Sequence, residues 1–337
     1  SPSHFMPSPS TLSLLTLTLA SFQCMASAGD LLLVTNKADR TLSLVDPAKH
    51  EQIGTVPEDG VTGHEVSTSV DGKLAFVPIF GNSGVGKPGT DGELIRVIDL
   101  EQRKIVNTID FKKGVRPHCP VTNAATGLLF VTVENNNAVA VIDPKEMKIL
   151  GEVTTGKPES HMLAVTRDGK RGFTANVASG TVSVLDLEQR KLTKVLPVCQ
   201  RTQRISLSVD DRFAFTSDQF VPQLAVIDTE KLEVSHWIPM PGCGYGTAPT
   251  PDGKYLVVAL SVDNKAAVID LAERKVIKVL DLPKSPQEVL IRPDGAFAYI
   301  SCDASKQIAA IRTSDWTVEK LIDVGGGADG LAWAASK

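Results

Sequence analysis

Aromatic residues make up only 5% of this 337-residue chain, and its formal charge is −4. So few rings exclude the stacking platforms that hold single-stranded nucleic acid. A mildly acidic chain also lacks the basic footprint of duplex binding. Cysteine is scarce: beyond the N-terminal segment there are only Cys119, Cys199, Cys243 and Cys302. With 42% hydrophobic residues the core holds without disulfide staples, although Cys199 and Cys243, in entry loops of adjacent repeats, can form one. The sequence has no Gly-x-Ser-x-Gly elbow, no HExxH helix and no CxxCH heme-attachment motif.

The N-terminal run "TLSLLTLTLASF" is apolar but too short and too rich in Ser and Thr to span a bilayer. "ASA" (Ala26 to Ala28) before Gly29 fits a small-residue cleavage site, although the stretch ahead of the run has no Lys or Arg. The expectation is an export signal over residues 1–28, one domain over 29–337, and a periplasmic or secreted, monomeric protein.

What fills that domain is repetition. Compare "HMLAVTRDGKRGFTANVASGTVSVLDLEQRKLTKVL", from His161, with "YGTAPTPDGKYLVVALSVDNKAAVIDLAERKVIKVL", from Tyr245. Each runs strand, DG turn, strand, polar turn, strand ending in Asp, charged turn, strand. The aspartates fall at Asp46, Asp99, Asp143, Asp186, Asp228 and Asp270, with Arg312 in the next slot, at intervals of 53, 44, 43, 42, 42 and 42. Four short β-branched strands in about 42 residues are a propeller blade. Seven such units predict an all-β, seven-bladed β-propeller of four-stranded blades. Its last blade is composite: "DGLAWAASK" supplies the inner strand, and "DLLLVTN", "TLSLVDP" and "EQIGTVP" the other three.

At "LLLVTN", "GFTANVASGTVSVLD" and "PDGKYLVVA" the chain resembles the YVTN-repeat propellers, a group with YncE-like and lactonase-like seven-bladed members. The resemblance covers almost the whole domain. It implies the fold and export, and no single activity, because propellers host many functions.

Aligning the blades on Phe76, Phe130, Phe173, Phe215, Val257 and Tyr299 exposes a second register. Twelve residues upstream stand His64, His118, His161, Gln203, Tyr245 and Gln287, and a further 42 residues on is Asp329. This slot opens the innermost strand and so lines the mouth of the central channel. Imidazoles in three consecutive blades suit one divalent transition metal with an open coordination position, zinc or copper first and iron as a third choice. Asp329, which wraps round to His64, and Tyr245 are the candidate catalytic groups. Gln203, Gln287 and Arg204 are the candidate substrate contacts. Strand alternation turns the next slot (Glu65, Cys119, Met162, Arg204 and Glu288) away from the channel, unless a twisted strand start brings Glu65 or Cys119 back. His50 and His236 are out of phase and are assigned to the surface, and Cys302 to the core.

One blade carries about ten extra residues, "IFGNSGVGKPGTDG" (Ile79 to Gly92), on the same face as the slot. The insertion is a candidate lid. Its "GNSGVGKP" is not a phosphate loop, because Pro88 replaces the hydroxyl residue and a strand, not a helix, follows. The leading expectation is a metal-dependent hydrolase or oxidoreductase acting on a small molecule. The alternatives are an exported metal carrier with a metal-exchange partner, which ordinarily has a His-rich collecting segment absent here, and a protein-docking scaffold.

Overall fold

A computed structural model describes residues 29–336; the expected export signal lies outside the described residues. Twenty-eight strands form seven antiparallel four-stranded sheets, interrupted only by two 3-10 turns. Blade 1 joins the inner strand Ala328–Ala334 to Leu31–Asn36, Thr41–Asp46 and Glu51–Pro57. Blades 2 to 7 span 67–110, 117–154, 160–197, 205–239, 247–281 and 286–323. Inner strands of successive blades pack against one another all the way round, blade 7 meeting blade 1 and blade 1 meeting blade 2. The composite closure follows from pairing: Leu31 opposes Ala334 and Val34 opposes Leu331, so neither chain end leaves an open edge.

The recurring aspartates close turns. Each ends the third strand of its blade, and its carboxylate accepts backbone N–H groups two or three residues on, as Asp228 does from Glu230 and Lys231, both at 2.9 Å. Four residues after that slot every blade has a left-handed residue: His50, Arg103, Met147, Arg190, Leu232, Arg274 and Trp316. The carboxylate satisfies turn amides that a strained backbone would otherwise leave bare. Arg312 reverses the charge and pairs with Asp315 and Glu319 instead. A bulge between the third and fourth strands of every blade adds the twist that the radial stacking needs.

The alignment residues Phe76, Phe130, Phe173, Phe215, Val257 and Tyr299 are all buried, packed between neighbouring blades. Their burial is the main stabilising term, each large side chain contributing about 2–3 kcal/mol. His50 departs from its expected surface position. It is buried, with Nε2 3.2 Å from the Tyr299 hydroxyl and its ring edge-on to Phe297 at 4.7 Å. Its left-handed turn in blade 1 folds it back onto blade 7. His236 lies on an outer strand as expected and is half-buried. It lines a groove of about 510 Å³ at the end of the propeller opposite the inner-strand entries.

Deleting residues 329–337 removes most of the inner strand of blade 1. The melting temperature should fall by about 10 °C or more, since several buried side chains and a full ladder of backbone bonds are lost. An unchanged melting curve would refute the closure.

Candidate functional site

The aligned slot is a ring at the channel mouth, but its backbone is not a regular strand. In blade 3, Pro117 opposes Val133 and Pro120 opposes Val131, so His118 and Cys119 together face the single residue Thr132. His161–Met162, Gln287–Glu288 and Asp329–Gly330 repeat this bulge. In blades 2, 5 and 6 the inner strand is short, and His64, Gln203 and Tyr245 precede it. Two residues on one bulge cannot alternate cleanly between faces. The expectation that Arg204 and Glu288 turn away from the channel is overturned, Glu288 by its bulge and Arg204 by the irregular chain ahead of a short strand, while Glu65 comes back toward the axis at its strand start, the exception that the alternation allowed.

Arg204 in fact crosses the axis. Its Nη2 lies 2.8 Å from Asp329 Oδ1 and 3.0 Å from Glu65 Oε1, its Nη1 meets Glu288, and its guanidinium lies over the Tyr245 ring at 4.7 Å. Groups from blades 1, 2, 6 and 7 therefore meet on one cation from blade 5. The Glu65 contact is a charge contact rather than a hydrogen bond, since Glu65 Oε1 has no donor aligned on it. Lys37 adds a second cation, 2.9 Å from both Asp303 and Asp329. Burial alone would raise the Asp329 pKa, yet Lys37 and Arg204 hold it well below the carboxylate range. Glu65 is less compensated, and burial pushes it up to about 7. Burial likewise raises Tyr245, and would lower Arg204 but for Glu65 and Asp329, which raise it.

The three histidines sit beside this network. His64 and His118 stand edge to face with ring centroids 5.4 Å apart, and His118 stacks on His161 at 3.7 Å. Phe80, the second residue of the insertion, closes one side at 4.8 Å from His64 and 5.3 Å from His118. His118 and His161 are 2% and 4% exposed, and the Nδ1 atom of each is buried without a hydrogen-bond partner among the described residues. Burial first, then neighbouring cations, lowers the His64 pKa to about 4. Burial lowers His118 and His161 well below the ordinary histidine range, helped by the other imidazoles and Arg204. All three are neutral at pH 7, with lone pairs available.

Two imidazoles on one tetrahedral ion keep their ring centroids roughly 5 Å apart, given a metal–nitrogen bond of about 2.0 Å. The His64–His118 pair has that spacing; the His118–His161 stack is tighter. Among the described residues no group of three His, Cys, Asp or Glu side chains is set as a metal cage.

The other expected site residues divide. Gln203 is half-buried at the ring, while the Gln287 amide is taken up by Ser261 Oγ at 3.0 Å and the Ser285 carbonyl at 3.2 Å. Among the described residues Cys119 and Cys302 are buried free thiols, and Cys199 and Cys243 are free thiols too. Lys37 escaped the sequence reading because it sits in the first turn of blade 1, reaching the axis only once the ring closes. Gly330 marks that closure. Its N–H donates to the His64 carbonyl at 2.9 Å, and a Cβ there would come within 2.5 Å of Glu65 Cα. The 79–92 insertion lies down on blade 3 rather than standing open. Gly86 N–H donates to Glu134, and Arg116 joins Glu134 to Asp91.

Fold and site together define a seven-bladed propeller with a polar, histidine-lined channel mouth. The chain belongs to the cytochrome d1 heme domain family, whose model matches residues 123–325. Two solved structures share the fold. One is Kuenenia stuttgartiensis hydrazine synthase, with a TM-score of 0.73, 17% identity, and coverage of 84% of this chain and 92% of that one. The other is the dihydro-heme d1 dehydrogenase NirN in complex with DHE, with a TM-score of 0.66, 13% identity, and coverage of 89% and 74%. No curated protein matches the sequence. Among the described residues no helix is long and apolar enough to cross a membrane.

Two measurable consequences follow from the electrostatics. Between pH 6.5 and about 4 the unfolded chain protonates these histidines while the folded chain does not, so stability is lost as pH falls. Glu65, raised to about 7, acts oppositely and loses stability as pH rises from 4.5. His118→Gln removes one imidazole's share, up to about 2 kcal/mol at pH 5. Its melting temperature should therefore drop less than the wild type's between pH 7 and 5 in differential scanning fluorimetry; parallel curves would contradict a buried neutral His118. Arg204→Ala strands buried carboxylates and should cost about 3–5 kcal/mol in denaturant unfolding.

Proposed function

We propose that this protein binds a metal-containing cofactor of the heme type at the channel mouth and acts there on a small molecule, as an exported, periplasmic propeller. The observation that carries the reading is the pair of buried, neutral imidazoles with bare Nδ1 atoms, in a chain of the cytochrome d1 heme domain family. A buried polar atom without a partner is costly, and a ligand that accepts its lone pair offsets that cost. The stacked pair favours ligation by one imidazole, His118 or His161, over a cage that uses both.

Bound there, with His118 or His161 to hold it, an iron-centred macrocycle would supply redox chemistry. The chain's own groups do the rest. Phe80 and Tyr245 provide aromatic faces, and the His64 lone pair can accept a proton or a hydrogen bond from a small molecule. Arg204 and Lys37 fix Asp329 in its charged form, which stabilises positive charge developing nearby. The 79–92 insertion walls the histidine side of the mouth and limits access of water. The NirN structure, described as a dehydrogenase holding DHE, supports placing a heme-type ligand on such a fold. The finer reading, a single zinc or copper ion on His64, His118 and His161, draws support from the 5.4 Å spacing of the first two rings. The YVTN-repeat resemblance fits either reading.

Titrating hemin into protein purified without cofactor should give a saturable shift of the Soret band at one equivalent per chain. The double variant His118→Ala/His161→Ala should weaken that binding at least tenfold. Equal binding by both proteins would reject the site. His118-dependent calorimetric binding of zinc or copper, with no response to hemin, would replace the macrocycle with a single ion.

A further inference from the structure

Both histidines of the stacked pair depend on one residue outside the ring. Thr132 lies in the second strand of blade 3, fully buried, directly opposite the His118–Cys119 bulge. Its Oγ1 accepts the backbone N–H of Cys119 at 2.9 Å and donates to the carbonyl of His161 in blade 4 at 2.8 Å. One hydroxyl thus fixes the bulge that carries His118 and, at the same time, the backbone of His161. The Cys119 thiol adds a second tie two residues further along blade 4, accepting the Leu163 N–H at 3.4 Å. Between them the two ties bracket Met162 and lock the inner strands of blades 3 and 4 in register.

Blade 1 repeats half of the device. Thr35, opposite its own bulge, donates to the carbonyl of His64 at 2.7 Å. In blade 7, Ser301 holds the equivalent place and accepts the Glu288 N–H at 3.1 Å, with no histidine involved.

We propose that Thr132 is the positioning residue of the channel mouth, setting the mutual placement of His118 and His161 without itself touching a ligand. This rests on the reading of the mouth as a ligand site, but its structural content can be tested separately. A hydroxyl that both accepts and donates is required, because valine has the shape without either bond and leaves a buried N–H and C=O bare. Serine keeps both bonds and loses only a methyl group. Repositioning by even a fraction of an ångström matters where a ligand bond has one preferred direction.

The test compares wild type, Thr132→Val, Thr132→Ser and Ser301→Ala. Imidazole resonances of His118 and His161 are followed by NMR, and hemin affinity by the Soret titration. Thr132→Val should shift both imidazole signals and weaken hemin binding about tenfold or more. Thr132→Ser should stay within about twofold of wild type. Ser301→Ala, which removes the same hydroxyl from a blade without histidine, should leave the imidazole signals in place. Should the valine variant fail to fold, Thr132→Cys, similar in shape but a weaker donor and acceptor, serves in its stead. Unmoved imidazole resonances in a folded Val or Cys variant would overturn the proposal. If wild type itself ignores hemin, the cofactor reading fails, while the resonances still decide the role of Thr132.

Discussion

One guanidinium holds the centre of this molecule. Arg204 is buried on the propeller axis and meets Asp329, Glu65, Glu288 and the face of Tyr245, so four other blades converge on the one that carries it. A buried cation is tolerable only with close, well-placed counter-charges, and the counter-charges are tolerable only with it. The planar fork of arginine suits this role, since it can address several carboxylates at once. The same field acts on the mouth. Together with burial and Lys37 it opposes protonation of His64 and His161 and keeps their nitrogens free for a ligand.

The inner-strand bulge is the second condition. It places two consecutive side chains at the axis where a regular strand would place one. That doubling, together with the irregular entries to the short inner strands of blades 2 and 5, lets a ring of histidines and polar residues coexist with a ring of charges behind it. Burial of both rings follows from the close approach of seven inner strands, visible at Gly330, where no side chain fits. The outward parts of the blades carry none of this chemistry. Their aspartates close turns, and their aromatic and branched residues fill the space between sheets.

Membership of the cytochrome d1 heme domain family and the two structural likenesses bear on function unequally. At 17% and 13% identity the likenesses show the fold, which many activities share. The family match, spanning 123–325, takes in His161, Gln203, Arg204, Tyr245, Gln287 and Glu288 but not His64, His118 or Asp329. The functional proposal therefore leans on what these residues do in this structure, above all on two imidazole nitrogens that nothing among the described residues satisfies.

Periodicity made the architecture legible in the sequence. Seven blades, the composite closure, the buried aromatic slot and the shared position of His64, His118 and His161 could all be counted, because each blade is a local unit repeated at nearly constant length. Alternation failed at Arg204, where the chain ahead of a short strand is irregular, and at Glu288, where a one-residue bulge resets which side chains face the axis; neither leaves a mark in the hydrophobic pattern. His50 was misplaced because its partners, Tyr299 and Phe297, lie some 250 residues away and meet it only when blade 7 closes on blade 1. Lys37 and Thr132 were passed over for the same reason. A repeat fixes what neighbours along the chain do to one another. Which charges share a buried axis, and which hydroxyl reaches the next blade's backbone, depends on the ring being closed, and only the tertiary structure decides it.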